Sequence, residues 1–294
     1  MTPAEPALWL VIEAHSPSET TNALLSEGLI ASGGLAVEEN GAWLRTWIPE
    51  DAALTHEAQV DSVRKQLQAI ASDSDLELHW EWRPGEDWTT KWRAGLAPRR
   101  VGERLIVAPS WTEPDTRPGD IVIVIDPRMA FGTGEHASTR GVLRLLEQAM
   151  HPGARVLDAG TGSGVLAIAA ARLGAAQVDA VDIDPDAVAA ARENIDANGT
   201  ADRVRLEVGE VDEAWLAQAS RFDLIAANIL SSVLEPMLGA LRHSLRPGGS
   251  LLVGGILESE SASLLEAAER AGLALRREDR DEGWWSAELR APAS

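Results

Sequence analysis

Cysteine is missing from this chain of 294 residues. Its absence excludes disulfides, thiolate-bound zinc and a cysteine nucleophile. Basic residues are scarce: 26 Lys and Arg stand against 46 Asp and Glu, a formal net charge of −20. Such a surface disfavours nucleic acid and anionic membranes, which carry charge of the same sign. It attracts basic proteins, and it also serves plain solubility. The six histidines are scattered without the close spacing of a metal site. No apolar run approaches the ~20 residues needed to cross a bilayer. The opening Met1-Thr2-Pro3-Ala4-Glu5 lacks the basic start of a signal peptide. These absences lead to the expectation of a cytoplasmic protein, long enough for two domains and a large core.

The most informative stretch is Val156-Leu157-Asp158-Ala159-Gly160-Thr161-Gly162-Ser163-Gly164. An apolar run ends in an acid, three glycines follow at alternate positions, and the helix-forming run Val165 to Ala171 comes next. This pattern predicts a strand, a glycine turn and a helix start. Glycine permits positive φ and close approach of a ligand to the backbone. The free N–H groups of a helix start suit a carboxylate or phosphate. Asp158 changes the choice of ligand, because it repels a pyrophosphate but can hold an ammonium group, directly or through water. A ligand with carboxylate and ammonium at one end is an amino acid, and S-adenosylmethionine has that end. Asp182 closes the next predicted strand, 22 residues after Gly160, where a carboxylate can bind ribose hydroxyls. The Gly-x-Gly-x-Gly spacing differs from the Gly-x-Gly-x-x-Gly dinucleotide fingerprint.

The chain divides by rhythm. In the front third, strand patterns at Ala7–Ala14, Leu35–Glu39, Trp43–Ile48 and Leu76–Trp82 alternate with helix patterns at Ser18–Ala31 and Leu54–Ala71. Asn40-Gly41 marks a hairpin. The order βαββαβ predicts a small ferredoxin-like α+β domain over residues 1–84. Residues 1–90 hold 16 acidic and 4 basic residues, so this domain is expected to grip a basic substrate. Within a connector over 85–97, Glu86 to Trp92 reads as a helix start, with Trp88 and Trp92 at i, i+4; packing is the plainest account of that pair. From residue 98 to 294 strands and helices alternate, with strands expected at Arg99–Ala108, Ile121–Ile125, Arg155–Asp158, Gln177–Asp182, Val204–Val208, Phe222–Ala227, Ser250–Gly254, Leu273–Glu278 and Trp285–Leu289. The last two are close enough to pair antiparallel. This predicts a doubly wound α/β sheet, with its ligand at the carboxyl ends of the strands near the topological switch point.

Two further motifs fall at that edge. Asp126 to Thr139 contains Phe131-Gly132-Thr133-Gly134, a flexible loop able to close over a ligand, followed by His136, Ser138 and Thr139. Either hydroxyl could cap the next helix. His136 is expected to have a structural partner, since a loop position alone does not make a base. The second motif, Phe222 to Leu230, ends an apolar strand with Asn228-Ile229-Leu230. An Asn amide there either caps a turn or offers a donor and an acceptor to a ligand, its carbonyl accepting from an incoming amine.

Taken together, Ala130-Phe131-Gly132-Thr133-Gly134, Asp158 to Gly164 and Asn228-Ile229-Leu230 resemble the bacterial methyltransferases that modify large-subunit ribosomal protein eleven, the stalk-base protein. Asp87-Trp88 to Trp92 and Ala108-Pro109-Ser110-Trp111 share the resemblance, which runs from about Glu86 to the C-terminus. Arg128, Glu135 and Ala137-Ser138 depart from the family pattern. The resemblance implies a seven-stranded class I methyltransferase domain of Rossmann-like type behind a small substrate-recognition domain. It implies S-adenosylmethionine contacts at Thr139, Gly160, Asp182 and Asn228, with Asp158, Gly162 and Gly164 from the wider class and Phe131, Gly132 and Gly134 in a loop near the cofactor. Its implied targets are lysine ε-amines and an N-terminal α-amine of the ribosomal protein, with repeated transfer.

The chemistry fits these residues. A sulfonium makes its methyl electrophilic without a metal, and orientation supplies most of the rate. A lysine must lose its proton, which costs roughly 4.6 kcal/mol at pH 7 from a pKa near 10.4; an α-amine near 7.7–8.0 needs far less. No residue stands out as a general base. A methyltransferase of RNA or DNA bases is the first alternative, disfavoured by the charge and by the lack of an Asn/Asp-Pro-Pro-aromatic motif at Asn228. A nicotinamide-binding or non-catalytic Rossmann protein is the second, disfavoured by Asp158 and the glycine spacing.

Overall fold

The computed structural model describes residues 8–34, 37–51, 53–71, 76–84, 96–126 and 136–293. These fall into two compact units, one up to residue 96 and one built from 97–126 and 136–293.

The first unit runs β1 (Leu8–His15), α1 (Glu19–Ala31), β2 (Val37–Asn40), β3 (Trp43–Pro49), α2 (His56–Ile70) and β4 (Glu77–Pro84). The strands form an antiparallel sheet in the order β2-β3-β1-β4. Alternation along β1 decides its two faces. Leu10, Ile12 and Ala14 pack with Leu25 and Leu29 of α1 and Val60, Val63 and Leu67 of α2. Trp9 and Val11 join Trp47 on the other face. Ser18 caps α1 by accepting from the Thr21 N–H at 3.2 Å. Thr55 caps α2 in the same way, so that helix begins at His56 rather than Leu54. Gly41 has φ +67° at the hairpin tip, where a left-handed residue matches the strand twist.

The second unit opens with β5 (Arg99–Arg100), β6 (Leu105–Ala108) and β7 (Ile121–Val124), a three-stranded sheet. The single strand expected over Arg99–Ala108 is therefore two, folded back at residues 101–104, where Val101 N–H donates to Leu105 O. Next come α3 (Ala137–Ala149), β8 (Arg155–Ala159), α4 (Val165–Arg172), β9 (Gln177–Asp182), α5 (Pro185–Ala197), β10 (Val204–Val208), α6 (Glu213–Gln218), β11 (Phe222–Asn228), α7 (Ser231–Ser244), β12 (Leu245–Leu257), α8 (Ser261–Arg270), β13 (Ala274–Asp281) and β14 (Trp284–Arg290). The main sheet has the order β10-β9-β8-β11-β12-β14-β13. It is parallel except at β14, which pairs antiparallel with both neighbours.

Both faces of this sheet are covered, so its central strands are largely apolar. Val156, Val178, Ala180, Leu224 and Ala226 face α3, α4 and α5. Leu157, Ala159, Val181, Ile225 and Ala227 face α6, α7 and α8. The chain leaves β8 toward β9 on one side and returns as β11 on the other, so the switch point lies between β8 and β11.

Trp285 is fully buried in this core, and its Nε1–H donates to Glu278 Oε2 at 2.8 Å. Trp285→Ala is expected to destabilise the second unit by about 3–5 kcal/mol. Urea unfolding followed by circular dichroism checks this; a loss under 1 kcal/mol contradicts the packing described.

Candidate functional site

The carboxyl ends of β8, β9 and β11 lie at this edge, and each carries at or next to its end a polar residue marked in the sequence: Asp158, Asp182 and Asn228. Asp158 and Asn228 lie on the sheet face covered by α3 and α4, because Asp158 pairs in register with Ala226 and Asn228 follows two residues later. Gly160, Gly162 and Gly164 all have positive φ, at 76°, 52° and 84°. The turn they make is closed by backbone bonds from Gly160 and Thr161 N–H to Val181 O, and from Gly164 N–H to Thr161 O. A Cβ on Gly160 would meet Ile229 Cγ2 at 2.6 Å, so the glycine serves close packing as well as strain-free φ. Gly164 is the left-handed N-cap of α4.

Asp158 is buried at the root of this cradle. Its Oδ2 accepts from the Thr161 hydroxyl at 2.7 Å and from the Ala167 N–H at 3.0 Å. Its Oδ1 is buried and has no hydrogen-bond partner among the described residues. Burial pushes the carboxyl up to about 7; the two hydrogen bonds oppose this, and the charge of Asp182 adds to it. Asp182, half-buried, spends Oδ2 on the Gly162 N–H at 2.8 Å and Oδ1 on the Asp184 N–H at 3.0 Å. One carboxylate thus holds the cradle from below and the other from the side.

Thr139 and Asn228 are brought together from 89 positions apart, with Asn228 Nδ2 donating to Thr139 Oγ1 at 3.2 Å. The expectation that Ser138 or Thr139 caps α3 is corrected. His136 occupies the cap position without a side-chain cap bond, and both hydroxyls lie inside the first turn. Asn228 Oδ1 is buried without a partner among the described residues, near Gly254. His136 has structural partners: Nδ1 lies 2.8 Å from Ser138 Oγ and the ring packs edge-on against Trp284. Burial, aided by the charge of Arg140 and opposed by Glu282, pushes His136 down to about 4, so it is neutral at pH 7. Phe131, Gly132 and Gly134, and the Trp88–Trp92 connector, lie outside the described residues.

A profile of the family described as "Ribosomal protein L11 methyltransferase (PrmA)" matches residues 12–292. The chain belongs to the ribosomal protein L11 methyltransferase family. A member of this family from Pelotomaculum thermopropionicum is 37% identical over 305 residues, covering 95% of this chain and 97% of its own. One from Symbiobacterium thermophilum is 40% identical over 239 residues, with 81% and 77% covered. A crystal structure of ribosomal protein L11 methylase from Lactobacillus delbrueckii subsp. bulgaricus superposes with a TM-score of 0.60 at 30% identity, covering 67% of this chain and 99% of that one.

Against that family background, several residues at the edge carry no signal in the sequence alone. Asn194 on α5 donates to Ser163 O at 2.9 Å and accepts from Asp126 N–H at 3.2 Å, so it ties the glycine turn to the strand end at Asp126. Asn198, one turn on, accepts from Val124 N–H and donates to Val124 O. Both read as ordinary polar residues of an amphipathic helix. Ile183 and Val208 stand exposed beside Asp182, with Val208 its register partner. Leu230 and Val233 stand exposed beyond Asn228. Among the described residues no cluster of His, Cys, Asp and Glu is arranged to hold a metal.

The Asp158 environment has a pH signature. Its carboxyl ionises near 3.8 in the unfolded chain and near 7 in the fold. Between these values the folded state keeps a proton that the unfolded state has lost, so this group lowers stability as pH rises from about 4 to about 7 and has no further effect above. Asp158→Asn should therefore gain stability relative to the parent across that interval, with the difference level above about pH 8. Paired urea titrations at several pH values test it; a difference that does not vary with pH rejects the buried-acid account.

Proposed function

We propose that this chain is an S-adenosylmethionine-dependent methyltransferase of ribosomal protein L11, transferring methyl groups to lysine ε-amines and to the N-terminal α-amine. The observation that carries the reading is the cradle at the switch point: a strain-free glycine turn over a buried acid with one unused acceptor. An unpartnered buried carboxylate oxygen is costly unless a donor reaches it, and the ammonium of an amino-acid moiety is such a donor. Gly160, Gly162 and Gly164 leave the backbone open to close approach. Asp182 is half-exposed at the next strand end, where a ribose diol can be held. Ile183 and Val208 would take the apolar face of the adenine. The unused Asp158 Oδ1 and the open glycine turn suit the amino-acid end of the cofactor. When bound, S-adenosylmethionine supplies an electrophilic methyl group.

The chain's own residues then bind and orient. Thr139 fixes the Asn228 amide through its Nδ2. Asn228 Oδ1, without a partner among the described residues, is the acceptor this reading offers to the amine. Phe131, Gly132 and Gly134 belong to the cofactor loop in this reading. No general base is assigned; neutral His136 is held by its own packing.

We assign residues 1–84 to substrate recognition in a ferredoxin-like domain, 85–97 to the connector and 98–294 to the transferase. The βαββαβ order with strand order β2-β3-β1-β4 supports the first assignment. The excess of 16 acidic over 4 basic residues in 1–90 supports a basic protein substrate. We place the protein in the cytoplasm with its ribosomal substrate; among the described residues no helix is long and apolar enough to cross a membrane.

Incubation with radiolabelled S-adenosylmethionine and unmethylated ribosomes is expected to label L11, with mass shifts in steps of one methyl group. Label on ribosomal RNA, or none on L11, overturns the reading. Asp182→Ala is expected to weaken S-adenosylhomocysteine binding by about 10- to 100-fold, the worth of one or two charge-assisted hydrogen bonds. Calorimetry measures this, and unchanged affinity removes the ribose role.

A further inference from the structure

The first turn of α7 presents two large apolar side chains to solvent, Leu230 at 46% and Val233 at 50% exposure. Leu230 is the N-cap and Val233 lies in the first turn, joined by a backbone bond from Val233 N–H to Leu230 O at 3.0 Å, so the two exposed side chains lie at the same end of the helix. The helix has its core stripe elsewhere, in the buried Leu234, Leu238 and Leu241. Leu230 and Val233 therefore add little to the packing of α7 on the sheet. Their place is specific: they follow Asn228 at the end of β11, on the opposite side of the glycine turn from Asp182, Ile183 and Val208. The cradle is flanked on one side by an acid with apolar neighbours and on the other by an amide with apolar neighbours.

We propose that Leu230 and Val233 form a subsite for the methylene stem of the target lysine. This rests on the proposed transfer to amines and names the part of the substrate held on the β11 side. The four-carbon stem of lysine is apolar and its tip is not. Laid along Leu230 and Val233, the stem brings the nitrogen back toward Asn228 and covers the approach from solvent. Removing water from an amine favours its neutral form, which is the form that accepts a methyl group. An α-amine has no such stem and gains nothing from the pair. The subsite thus favours the target that most needs help in losing a proton. The titratable groups on the elements around this edge are Asp158, Asp182, His136, Glu235 and Glu258. Glu235 pairs with Arg270 at 3.7 Å and Glu258 with Arg280.

The test compares the full chain with L230S/V233S and with the conservative Val233→Leu, using L11 as substrate. The readouts are S-adenosylhomocysteine affinity by calorimetry and kcat for lysine methylation at saturating L11, at pH 7 and pH 9.5, because kcat and not kcat/KM reports ionisation within the complex. The serine variant is expected to keep cofactor affinity within about twofold and to lose about tenfold in kcat at pH 7, equivalent to one unit in the bound amine's pKa. The deficit should shrink at pH 9.5, where more of the bound amine is neutral in either protein, and Val233→Leu should retain activity. Unchanged kcat, or equal deficits at the two pH values, overturns the subsite. Loss of cofactor affinity overturns it too, by placing the pair on the cofactor side. Absence of transfer to L11 by the unsubstituted chain defeats the functional reading itself, and the subsite with it.

Discussion

A single buried carboxylate organises the ligand edge of this protein. Asp158 terminates a central strand, and one of its oxygens gathers the Thr161 hydroxyl and the Ala167 amide. Strand end, glycine turn and helix start are fixed to one atom. A charge in so dry a place is unfavourable, and the fold responds by holding the carboxyl near neutrality, up at about 7. The other oxygen has no partner among the described residues, so the cradle is assembled with one acceptor in reserve. A cationic ligand group fits there better than an anionic one, which separates this turn from phosphate-binding glycine loops of similar outline.

Around that anchor the other contacts act as ties. Asp182 braces the turn through Gly162, Asn194 braces it through Ser163, and Thr139 meets Asn228 across the switch point. The α3 helix that carries Thr139 is itself pinned to the last hairpin: Arg140 bonds Asp281 and Glu282, and Arg144 bonds Asp279 and Asp281. Arg140 is almost fully buried, so its two carboxylate partners also spare it an unpaired buried charge. The distant C-terminal hairpin thereby sets the position of a residue at the carboxyl edge of the sheet. The first unit follows a different economy, with one small core between its sheet and two helices and a strongly acidic composition.

The main sheet was legible because its signals are local. Strands β8 to β14 were marked to within about three residues, and Gln177–Asp182 and Val204–Val208 have the observed bounds, except that β12, expected over Ser250–Gly254, runs over Leu245–Leu257. Asn40-Gly41 marked its hairpin for the same reason. Where an element ends against a turn without a strong marker, the reading slipped. Arg99–Ala108 passed as one strand because Gly102 was too weak a break, and the hydroxyls of Ser138 and Thr139 resembled caps because a cap and a first-turn residue look alike in sequence.

The sequence by itself determined the make-up of this edge, since three glycines and two carboxylates at fixed spacing lie within one strand–helix–strand unit and need no distant partner to be recognised. Only the tertiary structure decided which residues hold that unit in place. Asn194 and Asn198 gain their roles from what α5 packs against, Arg140 from the hairpin opposite, and Leu230 and Val233 from facing outward where the core is already filled. Such roles depend on contacts between residues far apart in the chain, and a pattern read along one dimension carries no record of them.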